Sequence, residues 1–220
     1  MNEPLWIRKY RVAFALLAIV ALVAKYPRDN DPWHIYFSKF SYQSNAFAAL
    51  VLLGGAFLAP TVIRSVRWDV LRGAAVMYLV TTFIVYGFLV NSFDNPFTTT
   101  RHWTHTVVHQ VIPVVIVLDL LIRPFANRLR WSDALRWTVY PIVYLGWSLV
   151  RGAIDGWYPY DFIDPAEVGW SGVALNTAGV TFGFVALGLL IVWFSHRTRH
   201  PHHADMTPTD GAAAEPALSR

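Results

Sequence analysis

Six long apolar stretches alternate with short polar segments along this chain. The stretches cover about residues 10–25, 41–63, 73–93, 103–122, 134–153 and 171–195. A helix needs roughly 20 apolar residues to cross the hydrocarbon core of a bilayer, and each stretch meets or approaches that length. The pattern therefore predicts an all-α, polytopic membrane protein whose residues 1–195 form a six-transmembrane-helix bundle.

Positive charges are divided unevenly between the polar segments, and this predicts the orientation of the bundle. With the amino terminus inside, 13 of the 18 lysine and arginine residues lie in cytoplasmic segments and 5 on the opposite side. Cytoplasmic loops carry the excess of positive charge in membrane proteins. We therefore expect both termini in the cytoplasm (N-in/C-in) and a location in the inner (plasma) membrane. Residues 196–220 are polar and predict a disordered cytoplasmic tail.

Composition agrees with a membrane protein and removes several function classes. The 220 residues are 55% hydrophobic and only 15% charged, whereas a soluble domain carries about a quarter charged residues. The absence of cysteine excludes thiolate metal sites and a cysteine nucleophile. The basic residues sit in short loops between apolar stretches, so we expect no nucleic-acid partner. No sequence motif predicts a cofactor, so we expect none.

Small polar residues cluster at the start of the second stretch. Ser41, Ser44 and Asn45 follow an i, i+3, i+4 spacing, which places them on one face of a helix. One interpretation is structural, with Ser41 as the helix N-cap and the others packing against neighbouring helices. The other is functional, since strongly polar residues at membrane depth are costly unless they have a use. The sequence leaves both open.

Histidines mark the start of the fourth stretch. His102, His105 and His109 follow an i, i+3, i+7 spacing and would share one face of a regular helix. A single buried histidine is usually a hydrogen-bonded packing residue. Two at i, i+4 inside a membrane favour a functional role.

Three further polar features lie near the ends of the predicted spans. Arg151 and Asp155 are spaced as an i, i+4 ion pair at the outer end of the fifth helix. Asn91 lies at the outer end of the third. Near the inner side, Asp119 precedes Arg123 by one turn, and we expect it either to pair with Arg123 or to snorkel towards the membrane surface.

An aromatic loop follows the fifth helix. Residues 156–165 contain Trp157, Tyr158, Tyr160 and Phe162 beside Asp164, which is too apolar for an ordinary solvated loop. We expect it to lie on the membrane surface or to fold back over the bundle. The predicted topology brings this loop, the serines and the histidines to the same outer half of the bilayer.

Three segments together resemble the family of androgen-induced and androgen-dependent multi-pass membrane proteins, including its bacterial branch. They are Phe40-Ser41-Tyr42-Gln43-Ser44-Asn45, His105 to Pro113, and Gly156-Trp157-Tyr158-Pro159-Tyr160 through Asp164. The resemblance covers roughly residues 10–195. It implies an integral-membrane hydrolase of fatty-acid esters with a threonine nucleophile and a histidine. This chain has no threonine in the matching segment, so the resemblance implies Ser44 or Ser41 as nucleophile and His109 or His105 as the histidine.

The chemistry expected from these residues is that of a carboxylic ester hydrolase acting on a membrane lipid or lipid-like substrate. A neutral imidazole would take the serine proton, and Asn45 would stabilise the oxyanion, with Gln43 and Asn91 as further polar support. Asp155 or Asp164 would orient the histidine, and a Ser–His pair without a carboxylate is equally open.

Two alternatives come from other function classes. His105 and His109 could hold a metal or a haem, although no acidic co-ligand lies at the right depth of that helix. The polar cluster could also be the binding site of a non-enzymatic transporter or assembly factor.

Overall fold

The computed structural model describes residues 3–29, 31–90 and 102–197, and all regular secondary structure in these ranges is helical. Asn91 and the greater part of the predicted tail lie outside the described residues. The α-helices are α1 Leu5–Asp29, α2 Trp33–Tyr36, α3 Phe40–Phe57, α4 Pro60–Ile63, α5 Val66–Val85, α6 Trp103–Thr106, α7 Ile112–Ile122, α8 Trp131–Asp155 and α9 Pro165–Arg197. Two π-helical segments, Tyr86–Val90 and Val107–Val111, and a 3-10 turn, Asp161–Ile163, complete the set.

Three helical stretches are long and apolar enough to cross a bilayer, namely Val66–Val90, Trp103–Ile122 and Pro165–Arg197. They correspond to the third, fourth and sixth predicted spans. Helices α1, α3 and α8 overlap the other three predictions, but among the described helices they do not meet the same test of length and mean hydropathy. The chain is therefore an all-α protein whose three candidate spans suggest a membrane location. The six-span topology stays a prediction.

Two predicted boundaries are wrong. The second stretch was expected to be one helix over 41–63, but α3 ends at Phe57, and Leu58 and Ala59 are extended, with ψ angles of 155° and 148°. Ala59 precedes Pro60, and the proline ring disfavours helical geometry in the residue before it. At the other end, α9 continues through Arg197, two residues into the segment predicted as a disordered tail.

Small side chains allow close packing between the first two long helices. Ala15, Ala18 and Ala21 of α1 are completely buried, and α1 makes its most extensive contacts with α3. Alanines let helix backbones approach closely, which is how helices associate where the hydrophobic effect gives little help. Helix α5 lies centrally and contacts α3, α7 and α9, while α8 packs mainly on α9.

A buried charge network joins three helices at the end of the bundle opposite the aromatic loop. Asp119 of α7 accepts a hydrogen bond from Arg11 Nε of α1 at 2.6 Å and lies 3.2 Å from Arg72 Nη2 of α5. The expected pairing of Asp119 with Arg123 is therefore wrong, because the Arg123 side chain pairs with Glu3 instead. The two arginines balance a carboxylate that would be costly to bury alone.

Candidate functional site

A partly open cavity of about 250 Å³ lies where α3, α5, α8 and α9 meet the aromatic loop. Most of its wall is apolar. The polar groups that matter for chemistry are Ser41, Thr82, Tyr86, His105, His109 and Tyr160. The structure thus brings together one of the two predicted serines, both predicted histidines and the aromatic loop.

His109 is held in one orientation by its own helix. It lies in the π-helical segment Val107–Val111, and its Nδ1 is 3.1 Å from the carbonyl oxygen of His105. A carbonyl only accepts, so Nδ1 carries the hydrogen and Nε2 of the neutral ring has the lone pair. The ring of Tyr86 stacks on His109 with centroids 3.8 Å apart. Tyr86 itself opens the other π-helical segment, and π turns often occur at functional sites.

His105 lies beside His109 and is approached from α1. The two imidazoles stack with ring centroids 5.7 Å apart. Nε2 of His105 is 2.8 Å from the ammonium nitrogen of Lys25. His102, the third histidine of the predicted face, is exposed, and its Nδ1 instead accepts from the Thr104 backbone N–H as the N-cap of α6. The single face expected for all three histidines is therefore wrong, because His102 is the N-cap of α6 and has a non-helical backbone, with a ψ of 144°.

Ser41 is buried at the cavity wall, with 6% of its surface exposed. The interpretation of Ser41 as an N-cap is wrong, because Lys39 occupies that position and α3 begins at Phe40. The backbone N–H of Ser41 donates to the phenolic oxygen of Tyr160 at 3.4 Å. Burial raises the pKa of Tyr160 above the ordinary value, so its hydroxyl stays protonated at neutral pH. The loop therefore folds back over the bundle, one of the two arrangements expected.

Ser44 lies outside the cavity, one turn further along α3. Its Oγ is 3.1 Å from the Ser41 carbonyl oxygen and 3.2 Å from Thr82 Oγ1. Thr82 does line the cavity. Ser44 therefore contacts two residues of the cavity wall, Ser41 and Thr82, without lining the cavity itself.

The amides of Asn45 and Gln43 serve the packing of helices. Asn45 Nδ2 donates to the carbonyl oxygens of Ser41 at 2.7 Å and Val108 at 2.9 Å. Both amide hydrogens are thus engaged, and the side chain ties α3 to the segment that carries His109. Gln43 is half-buried outside the cavity, where its Nε2 donates to the Phe37 carbonyl and its Oε1 accepts from Tyr140.

The two candidate carboxylates do not line the cavity. Asp155 pairs with Arg151 at 3.0 Å, which confirms the predicted ion pair, and accepts from the Trp157 N–H at 3.0 Å. That N–H, together with the guanidinium, lowers the pKa of Asp155. Asp164 Oδ1 accepts from the Ala166 N–H at 2.8 Å at the start of α9. His109 is oriented by a backbone carbonyl instead.

Sequence reasoning missed three residues of this site. Thr82 was visible only as part of a Thr-Thr pair in an apolar stretch, and Tyr86 as one aromatic among many. Lys25 was counted as a topology signal. Its buried position between Asp29 and His105 depends on a contact across 80 residues of sequence, which no local pattern reveals.

No group of three or more histidine or acidic side chains within residues 3–29, 31–90 and 102–197 is arranged to hold a metal ion. The Lys25 side-chain nitrogen lies 2.8 Å from His105 Nε2, one of the two ring nitrogens through which a histidine can bind a metal. No family model, curated protein or solved structure matches the chain.

Proposed function

We propose that this protein is a membrane-embedded lipid-ester hydrolase, with Ser41 as nucleophile and His109 as general base. The proposal includes a six-span bundle with both termini in the cytoplasm, and it extends the resemblance to the androgen-induced and androgen-dependent family. The carrying observation is that Ser41 and a histidine with a fixed tautomer line the same buried, mostly apolar cavity. Covalent ester hydrolysis requires a hydroxyl nucleophile and an adjacent base, and here the two groups come from different helices.

The tautomer of His109 suits a general base. With Nδ1–H committed to the His105 carbonyl, Nε2 has the lone pair that accepts a proton. In serine hydrolases a carboxylate usually performs this orienting task. Here a carbonyl one helical turn earlier performs it, so neither Asp155 nor Asp164 is needed.

The reaction proceeds in two halves. His109 Nε2 takes the proton from Ser41 Oγ as the oxygen attacks the ester carbonyl carbon, and the resulting tetrahedral oxyanion collapses to an acyl-serine. The same proton passes from Nε2 to the leaving alkoxide, which departs as an alcohol. Water then gives a proton to Nε2 and attacks the acyl-serine, which releases a carboxylic acid and returns the proton to Ser41.

The shape and lining of the cavity favour a lipid over a water-soluble ester. Its walls are mostly apolar, and its volume of about 250 Å³ is below the roughly 300 to 1,000 Å³ of sites that enclose a drug-sized ligand. We therefore expect the ester and the adjoining part of one chain to enter, while the rest of the lipid stays in the bilayer.

An active-site-directed fluorophosphonate tests the proposal on the full chain in lipid nanodiscs. We expect labelling of the wild type and loss of the label in Ser41→Ala. Ser171→Ala is the matched control, because Ser171 is exposed and away from the cavity. Full labelling of Ser41→Ala, or loss only in Ser44→Ala, contradicts the assignment.

A histidine variant separates the base from the packing of its ring. His109→Asn retains an N–H donor near the position of Nδ1 but provides no base, so the labelling rate should fall by about 10² to 10⁴. His102→Asn makes the same change at an exposed position outside the cavity and should label at the wild-type rate. Equal rates for both variants would remove His109 from the mechanism.

A further inference from the structure

A buried lysine of helix α1 contacts His105. Lys25 of α1 is 2% exposed. Its Nζ lies 2.8 Å from Asp29 Oδ1 and 2.8 Å from His105 Nε2. Lys25 is not among the residues that line the cavity, whereas His105 is. The lysine therefore acts on the cavity indirectly, through side chains such as His105 that line it.

The partners of Lys25 establish that it is an ammonium group. Asp29 Oδ2 accepts a hydrogen bond from the Tyr42 hydroxyl at 2.6 Å and lies 3.5 Å from Lys39 Nζ. Burial alone would raise the pKa of Asp29, but the hydrogen bonds from Lys25 and Tyr42, with the charge of both lysines, lower it overall. A carboxylate thus faces Lys25 at 2.8 Å. A charged lysine beside it has three donors and no acceptor.

This assignment determines which nitrogen of His105 carries the proton. An ammonium can only donate, so Nε2 accepts, and the single hydrogen of the neutral ring is on Nδ1. His109 is also protonated on Nδ1, but its hydrogen is donated to the His105 carbonyl. The lone pair of His105 Nε2 accepts the hydrogen bond from Lys25. The two stacked imidazoles are therefore not equivalent.

We infer that Lys25 is a positioning residue that holds His105 as the Nδ1–H tautomer, so that Nε2 of His105 does not act as a base in the cavity. The consequence for catalysis rests on the proposed hydrolase function, while the tautomer itself does not. The hydrogen on His105 Nδ1 is then buried and does not face a developing oxyanion in the cavity. The amide of Asn45, first considered for stabilising that oxyanion, already donates both hydrogens elsewhere.

Nitrogen-15 NMR of the full chain in lipid nanodiscs, with labelled histidine, measures the tautomer directly. The signals of His105 are those lost in His105→Gln. In the wild type we expect Nδ1 of His105 at a protonated shift and Nε2 at an unprotonated one. Lys25→Met should move both nitrogens away from these positions, and Lys25→Arg, which keeps a cationic donor, should restore them.

The control is Lys9→Met, the same substitution at an exposed position of the same helix. It should leave the shifts of His105 unchanged. A wild-type spectrum with the proton on Nε2 overturns the inference without any variant, and so does a Lys25→Met spectrum identical to the wild type. A purely structural role for Lys25 would lower stability without the selective change at His105 and its rescue by arginine.

Fluorophosphonate labelling of the same samples separates this inference from the proposed function. A wild type that has the expected tautomer but takes no label refutes the hydrolase and supports the positioning role. Labelling of the wild type, with His105 shifts that do not respond to Lys25→Met, supports the hydrolase and refutes the positioning role. If both hold, Lys25→Met should label more slowly than Lys25→Arg.

Discussion

Gly152 of α8 is the position where a single methyl group should disturb the aromatic loop. A Cβ at Gly152 would lie 2.2 Å from ring carbons of Tyr158. The chain reverses just after it, because Gly156 adopts a φ of +73° and its N–H bonds to the Gly152 carbonyl at 2.9 Å. The loop thus returns over α8 directly on this glycine. Ordinary contact begins at 3.4 Å, so the ring must move by about 1.2 Å (3.4 minus 2.2) in Gly152→Ala.

Two opposing energies determine the outcome. Alanine is favoured over glycine in a helix by about 0.8–1.0 kcal/mol, while overpacking of a close contact costs typically 1–3 kcal/mol. Gly146 provides the matched control, since it lies in the same helix and a Cβ there meets no atom within 4 Å. The helix preference is common to both variants. Gly152→Ala should therefore be less stable than Gly146→Ala by about 1–3 kcal/mol.

Thermal unfolding of the full chain in detergent, followed by tryptophan fluorescence, measures this difference. For a chain of this size, 1 kcal/mol corresponds to roughly 2–4 °C in Tm. Fluorophosphonate labelling should also slow in Gly152→Ala alone, because Tyr158 and Tyr160 share the loop and Tyr160 contacts Ser41. Equal Tm values for the two variants would refute the packing of this loop on α8.

Two other changes test the charged groups. Asp119→Asn removes the carboxylate that Arg11 and Arg72 share and leaves them with Glu3 and Asp69 respectively, so it should cost about 3 kcal/mol, the lower end for breaking a buried pair. Arg136→Ala, at a side chain 64% exposed, should cost at most about 1 kcal/mol. Equilibrium unfolding compares the two variants, and similar losses would contradict the network. Because the folded-state pKa of Asp29 is lowered, its contribution to stability is complete above the unfolded pKa near 3.9 and is lost as the pH falls through the folded pKa. The Tm advantage of wild type over Asp29→Asn should therefore shrink below about pH 4, and a constant difference from pH 3 to 7 would contradict the assignment.

Local patterns predict the long apolar helices of this chain well. The fourth stretch was expected over 103–122, and the structure has a continuous helical run over Trp103–Ile122. The Arg151–Asp155 pair was also predictable from spacing alone. Such features depend on neighbours within one or two turns, where periodicity and pairing rules apply.

Contacts between distant segments were beyond the reach of these rules. Ser44 and Ser41 were both candidate nucleophiles, but three residues along a helix change direction by about 60°, and the cavity lies on the side of Ser41. Asp119 was assigned to Arg123 by proximity in sequence, yet it pairs with Arg11, 108 residues away. Which of several polar neighbours a buried group meets is decided by how the helices cross.

The π turn at Val107–Val111 also shifts the helical register within one continuous helix. Such a turn accommodates one residue more than α-helical geometry would, so the residues before it are rotated by about 100° relative to those after it. Deleting a single residue from this turn would let the helix become regular. His105 would then rotate around the helix axis away from His109, while Asp119 would keep its position in α7. The number of residues across these five positions therefore sets the angle between His105 and Asp119 around the helix axis.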